Sequence, residues 1–257
     1  MQWLTVFNRE NLEAWRNFKW IWVPLVFILL GLMDPLTTYY MPQILDSVGG
    51  LPEGATIDIP SPPPADILMM SIGQFNMMGI AIIILISMGT IAGERKIGIA
   101  ELILVKPVRY STYVTAKWAS FSLLSLAAVS LGMISSWYYV SILFEELPFT
   151  HILIAMLFYS LWMTFVVTVN IFMNTLVKVP GFVAFLTVTV LLVLHLLSQV
   201  FQHVIEWVPS LIPSYIGEVI KTGNISTELW GSALVTVILI AILLVSASYT
   251  LKNKELA

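Results

Sequence analysis

No cysteine occurs in this chain, and charge is scarce: 11% of its 257 residues are Asp, Glu, Lys or Arg. The first absence excludes disulfides, thiolate metal sites and cysteine nucleophiles, and leaves the redox compartment open. The second excludes an ordinary soluble domain, in which about a quarter of residues are charged. With only three histidines and a net charge of −3, the chain has neither a histidine-rich metal-binding pattern nor a general basic surface for nucleic acid. The phosphate loop GxxxxGK(S/T), the metalloprotease HExxH and the hydrolase GxSxG are missing too. An intramembrane enzyme is therefore disfavoured, and any nucleotide chemistry must come from another chain.

What the chain does have is apolar surface. Hydrophobic residues make up 58% of it, and the mean hydropathy is +0.91. A polytopic membrane protein follows, because a crossing needs roughly 20 apolar residues and helices satisfy their backbone polar groups internally. Six apolar runs predict six spans, at about Trp20–Tyr40, Ile67–Ala92, Trp118–Phe144, His151–Val177, Gly181–Val200 and Leu229–Thr250. Pro and Gly in Lys178-Val-Pro-Gly181 separate the fourth run from the fifth. The first run starts too late, is too long and lacks the small-residue cleavage site of a signal peptide, so it reads as a retained helix. These runs leave no room for a soluble domain, and residues 1–257 read as one all-α membrane domain. No internal repeat is evident, which argues against a secondary carrier.

The positive-inside rule orients the spans. With the N-terminus in the cytoplasm, Arg9, Arg16, Lys19, Arg95, Lys96, Lys106, Arg109, Lys117, Lys178, Lys252 and Lys254 fall inside, and only Lys221 falls outside. The outer segments are acidic, from Asp46 and Asp66 to Glu206 and Glu228. Both termini are expected in the cytoplasm.

Four of the twelve basic residues lie in one short stretch, Ala92-Gly-Glu-Arg-Lys-Ile-Gly-Ile-Ala-Glu-Leu-Ile-Leu-Val-Lys-Pro-Val-Arg109. Helical periodicity puts Ile97, Ala100 and Leu104 on one face, with Glu94, Gly98 and Glu101 on another. Pro107 then ends the helix. The plainer reading is a charged loop between spans two and three. The N-terminal residues 1–19 form a second amphipathic segment, with Trp3, Leu4, Phe7, Leu12, Trp15 and Phe18 among Arg9, Glu10, Glu13, Arg16 and Lys19. Such a helix suits the membrane interface.

The order Glu94, Gly98, Glu101, Pro107, Lys117 resembles the cytoplasmic signature of ABC-2 type transporter permeases, the membrane subunits of ATP-binding cassette exporters. The six-helix plan with an amphipathic N-terminal helix is similar over the whole chain. The resemblance implies that residues 94–117 form a coupling segment that seats on a separate ATP-binding subunit. Glu94, Arg95, Gly98, Glu101, Pro107 and Lys117 would be its contact, hinge or turn positions. It also implies two copies of the ATP-binding subunit, which would hold ATP and Mg²⁺, and a second permease copy, identical or paralogous. No cofactor is expected in this chain. A bacterial plasma-membrane location goes with the family.

Inside the spans, Asp34 reads either as the outer end of the first helix reaching water or as part of the substrate route, since intramembrane carboxylates usually face a cavity or a partner. His195, Gln199 and Gln202 share one helical face in and beyond the fifth span, with His195 near mid-membrane, and are candidates for the translocation path. Asn170 with Asn174, and Gln74 with Asn76, read as amides that join helices. Between the last two spans, apolar pairs interrupted by Pro209 and Pro213 predict an outer re-entrant or surface-lying segment over 201–228. A membrane scaffold that sequesters a cytoplasmic partner is the alternative function.

Overall fold

The computed structural model describes residues 2–48, 61–98, 109–201 and 206–255. Among them all regular structure is helical. Helix α1 (Gln2–Arg16) turns at Asn17 and Phe18 into α2 (Lys19–Val48). The second apolar run is built in pieces: α3 (Pro64–Gln74), a π-turn (Phe75–Gly79), α4 (Ile80–Ser87) and, after a break, α5 (Ala92–Lys96). Then come α6 (Tyr110–Leu143), α7 (Phe149–Leu176) and α8 (Pro180–Val200). A 3₁₀ turn (Pro209–Leu211), α9 (Ile212–Thr222) and α10 (Thr227–Glu255) complete the chain. Among the described residues six helical segments are long and apolar enough to cross a membrane, consistent with an all-helical polytopic membrane protein.

Every predicted run is present, and several extend past their expected ends. The third span starts at Tyr110 instead of Trp118. Its first two turns are too polar to read as membrane, but they bury Tyr113, Val114, Ala116 and Lys117. The first span continues through Pro24, Pro35 and Pro42. That overturns the reading of Asp34-Pro35 as a frayed helix end.

Pro35 has no N–H, so the Gly31 carbonyl one turn earlier loses its helical donor. Ser71 Oγ of α3 donates to that carbonyl at 3.3 Å, and Ser136 Oγ of α6 donates to Ser71 Oγ at 2.9 Å. Polar side chains that re-satisfy a proline-freed carbonyl are what lipid demands. Beside this point α2 and α6 cross closely, since a Cβ on Gly132 would sit 2.8 Å from the Phe27 oxygen. Small residues at a crossing let van der Waals contact replace the hydrophobic drive that lipid does not supply. The π-turn puts Phe75 against Phe27, ring centroids 5.4 Å apart.

Helices α6 and α7 form the centre of the bundle, and α8 and α10 lie at its periphery with most of their apolar side chains exposed. The end of the bundle that carries α1, α5 and the end of α10 is called proximal here, the other distal. Ten of the eleven described Lys and Arg residues belong to the proximal end, and Lys221 alone to the distal one. There Lys221 pairs with Asp66 at 2.7 Å.

Candidate functional site

At the proximal end, four charged side chains from three elements meet. Lys117 of α6, 1% exposed, stands 2.7 Å from Glu10 Oε1 of α1 and 3.1 Å from Glu94 Oε2 of α5. Its ammonium also lies 5.1 Å from the centre of the Tyr113 ring. The other Glu94 oxygen accepts from Arg9 Nη2 at 2.9 Å, and Tyr113 Oη donates to Glu94 Oε2. Two carboxylates thus face two cations. That balance is needed, because a buried charge without a partner costs several kcal/mol. Burial pushes the Glu10 carboxyl above its usual range, and the adjacent Lys117 partly opposes it.

The node exists because α1 presents Glu10 and Ala14, one turn apart, to the bundle. Its apolar Leu4, Leu12 and Trp15, and Phe18 in the turn that follows, stay exposed, as an interfacial helix requires. In the sequence Arg9 and Glu10 stand out only as charged members of the amphipathic N-terminal segment, and Tyr113 has no part. The signal available was that Glu10 and Ala14 continue the stripe begun by Trp3 and Phe7 at helical spacing, and Trp3 Nε1 itself donates to Thr115 Oγ1 of α6 at 3.1 Å.

The second span is broken at Met88–Ile91, and the break frees backbone donors. Asn174 Oδ1 of α7 accepts both, from Ile91 N at 3.2 Å and Ala92 N at 3.1 Å. Asn174 Nδ2 donates to Ser87 O at 3.2 Å, and Asn170 Nδ2 donates to Ser87 Oγ at 2.6 Å. The asparagine pair therefore holds α5 to α7. Arg95, 5% exposed, donates to Thr175 O at 3.0 Å, and Lys254 Nζ donates to Leu176 O. Both cations sit on the carbonyl end of α7, where the helix dipole favours them.

The helix expected from Glu94 onward does not run unbroken through Gly98, and its remainder from 99 to 105 lies outside the described residues. Glu94 and Arg95 belong to α5, which ends at Lys96, and Gly98 adopts a left-handed φ of 76°. A residue without Cβ is favoured in that conformation, which stops a helix. Lys117 is likewise no loop residue but a buried part of α6. Glu101, Pro107 and Gln202 lie outside the described residues.

Two clefts open toward the distal end. His195 lines one of 400 Å³ together with Asn76, Ile84, Trp162 and Ser214. Asn76 Oδ1 accepts there from Trp162 Nε1 at 3.1 Å and Tyr159 Oη at 3.2 Å. His195 lies within two turns of the distal end of α8, and both it and Gln199 are exposed. Asp34 lines a separate cleft of 940 Å³ between α2, the start of α3 and the end of α6. The structure therefore separates Asp34 from the His195 face. Among the described residues, no group of three or more His, Asp or Glu is placed to hold a metal ion.

No family model matches the chain. It is 28% identical over 252 residues to the uncharacterized transmembrane protein YxlG of Bacillus subtilis (strain 168), with 98% of each chain covered. Six apolar helices and this end-to-end similarity identify a multi-pass membrane protein.

Proposed function

We propose that this chain is the permease subunit of an ATP-driven exporter of the ABC-2 type, working with a second permease copy and two separate ATP-binding subunits. The observation that carries the reading is the grip on Glu94. This residue lies in the last turn of the second span, and Arg9, Tyr113 and Lys117 hold it from α1 and α6. Force applied by a cytoplasmic partner to residues 94–109 would pass through Glu94 to α6 at the bundle centre and to α1 at the membrane surface. Asn174 and Arg95 would pass it to α7. Sequence resemblance supplies the family, and the basic proximal end supplies the direction: under the positive-inside rule it faces the cytoplasm.

In this scheme ATP-driven closure of the partner subunits rocks two six-helix halves, and the distal clefts face the exterior. The test is co-purification with candidate ATP-binding subunits, followed by ATP turnover and export in lipid nanodiscs or vesicles. Glu94→Gln is expected to leave complex assembly and basal hydrolysis intact while export falls at least tenfold. Normal export by that variant, or export by the chain without an ATPase, overturns the reading. A stable complex with a cytoplasmic protein lacking ATPase activity would favour the scaffold alternative.

A further inference from the structure

The Asp34 cleft has a chemistry of its own. Of the Asp34 carboxylate, one side is engaged by Gln74, while Oδ2 is buried and has no hydrogen-bond partner. Glu145 supplies a second carboxylate on the cleft wall, and among the described residues no Lys, Arg or His lines it. Tyr39 and Phe144, edge to face with centroids 6.0 Å apart, form an aromatic side. Pro42 contributes no N–H, so the Thr38 carbonyl in the same wall lacks its helical donor one turn on. Negative charge and aromatic rings thus meet around one space with no cation among the described residues that line it. A buried carboxylate oxygen left unpartnered is costly, and a cation at this point would offset the cost.

We propose that this cleft binds an organic ammonium ion carrying an apolar body, with Asp34 as counter-charge and Tyr39 and Phe144 as its aromatic walls. A bare metal ion is the poorer fit. At 940 Å³ the space is far larger than a metal ion requires, and hard divalent cations take six or more oxygen ligands at fixed short distances. A substituted ammonium, by contrast, is held by ring faces and a carboxylate together. An apolar body suits the prolines, methionines and Leu143 that line the cleft beside Thr37, Thr38 and Ser61. Calling this ligand the exported cargo rests on the exporter reading, but binding itself does not.

The experiment uses the full chain in nanodiscs, without any ATPase, so a failure here is distinct from a failure of the exporter reading. Benzyltrimethylammonium is the probe, and neopentylbenzene is its uncharged counterpart of the same shape. Saturation-transfer NMR, with empty nanodiscs as the blank, gives the affinity of each. The charged probe should bind at least tenfold tighter than the neutral one. Asp34→Asn, which keeps the shape and the Gln74 contact, should weaken it tenfold or more, and Tyr39→Leu should weaken it several-fold. Asp34→Glu should recover part of the loss, which separates lost charge from lost folding. Equal binding of the two probes, or unchanged affinity in Asp34→Asn with intact helicity, overturns the proposal.

Discussion

Gly31 of α2 and Gly132 of α6 meet backbone to backbone: a Cβ on Gly31 would overlap the Gly132 carbonyl oxygen. The contact lies one turn before Pro35, where Ser71 takes the carbonyl that the proline leaves free. A single crossing therefore carries close packing and polar repair together.

Gly132→Ala is expected to destabilise the chain by about 1–3 kcal/mol, because the added methyl meets the Phe27 carbonyl and the Phe75 ring. Gly73→Ala is the control, since nothing lies within 4 Å of a Cβ there. That change should be neutral or stabilise the helix by roughly 0.5–1 kcal/mol. Thermal unfolding in detergent micelles compares the two, and equal losses would contradict the tight crossing.

Asn174→Leu removes the acceptor of two backbone donors at the break in the second span. Each orphaned buried donor costs about 1–3 kcal/mol, against about 0.6 kcal/mol for an average side-chain bond between membrane helices. The loss should fall at the upper, backbone-capping end. Amide exchange should also rise at Ile91 and Ala92 more than elsewhere in the bundle. Uniform exchange would mean that Asn174 only fills space.

Lys117→Ala leaves Glu10 and Glu94 facing each other without their shared cation. Breaking a buried pair in this way costs roughly 3–5 kcal/mol. Glu10→Gln together with Lys117→Met should recover much of it, since no uncompensated charge would then remain on α1 or α6. The comparison is again thermal unfolding, and a double variant no better than the single one would show that the node does not act as a charge balance.

The docking of α1 should depend on pH through Glu10. Its carboxyl is raised above 4.5 in the folded chain, so the docked state holds the proton more tightly than the released helix does. By linkage, docking weakens as pH rises from 4.5 through the raised value, and is level below 4.5. Amide exchange of α1, corrected for the intrinsic rate, should therefore be better protected on the acid side. Glu10→Gln should flatten that dependence. A wild-type profile indistinguishable from the variant's would remove Glu10 as its source.

How much of this was legible in the chain differs by element. Residues 181–200 were predicted almost to the residue, because Pro180 opens the helix and its whole length is apolar. Residues 110–117 look from sequence like part of the cytoplasmic segment before the third span. Thr115 and Lys117 there meet Trp3 and Glu10 of α1, and a hydropathy window sees polarity but not the partner that hides it. Glu94 was singled out through its spacing to Gly98 and Lys117, yet its three contacts were not foreseeable, since Arg9 is 85 residues away. Asp34 was noticed because a carboxylate in an apolar run is rare. Its cleft required the end of α6.

The amino-acid order alone determined the six crossings and the basic bias of one end. Transfer of about 20 apolar residues into lipid is a local sum that needs no knowledge of neighbours. The tertiary structure decided which charges are buried, which carbonyls are repaired and where clefts remain. Lys117 and Glu10 lie 107 residues apart in the chain, and their pairing depends on how α1 returns to α6, a relation that no local sum contains.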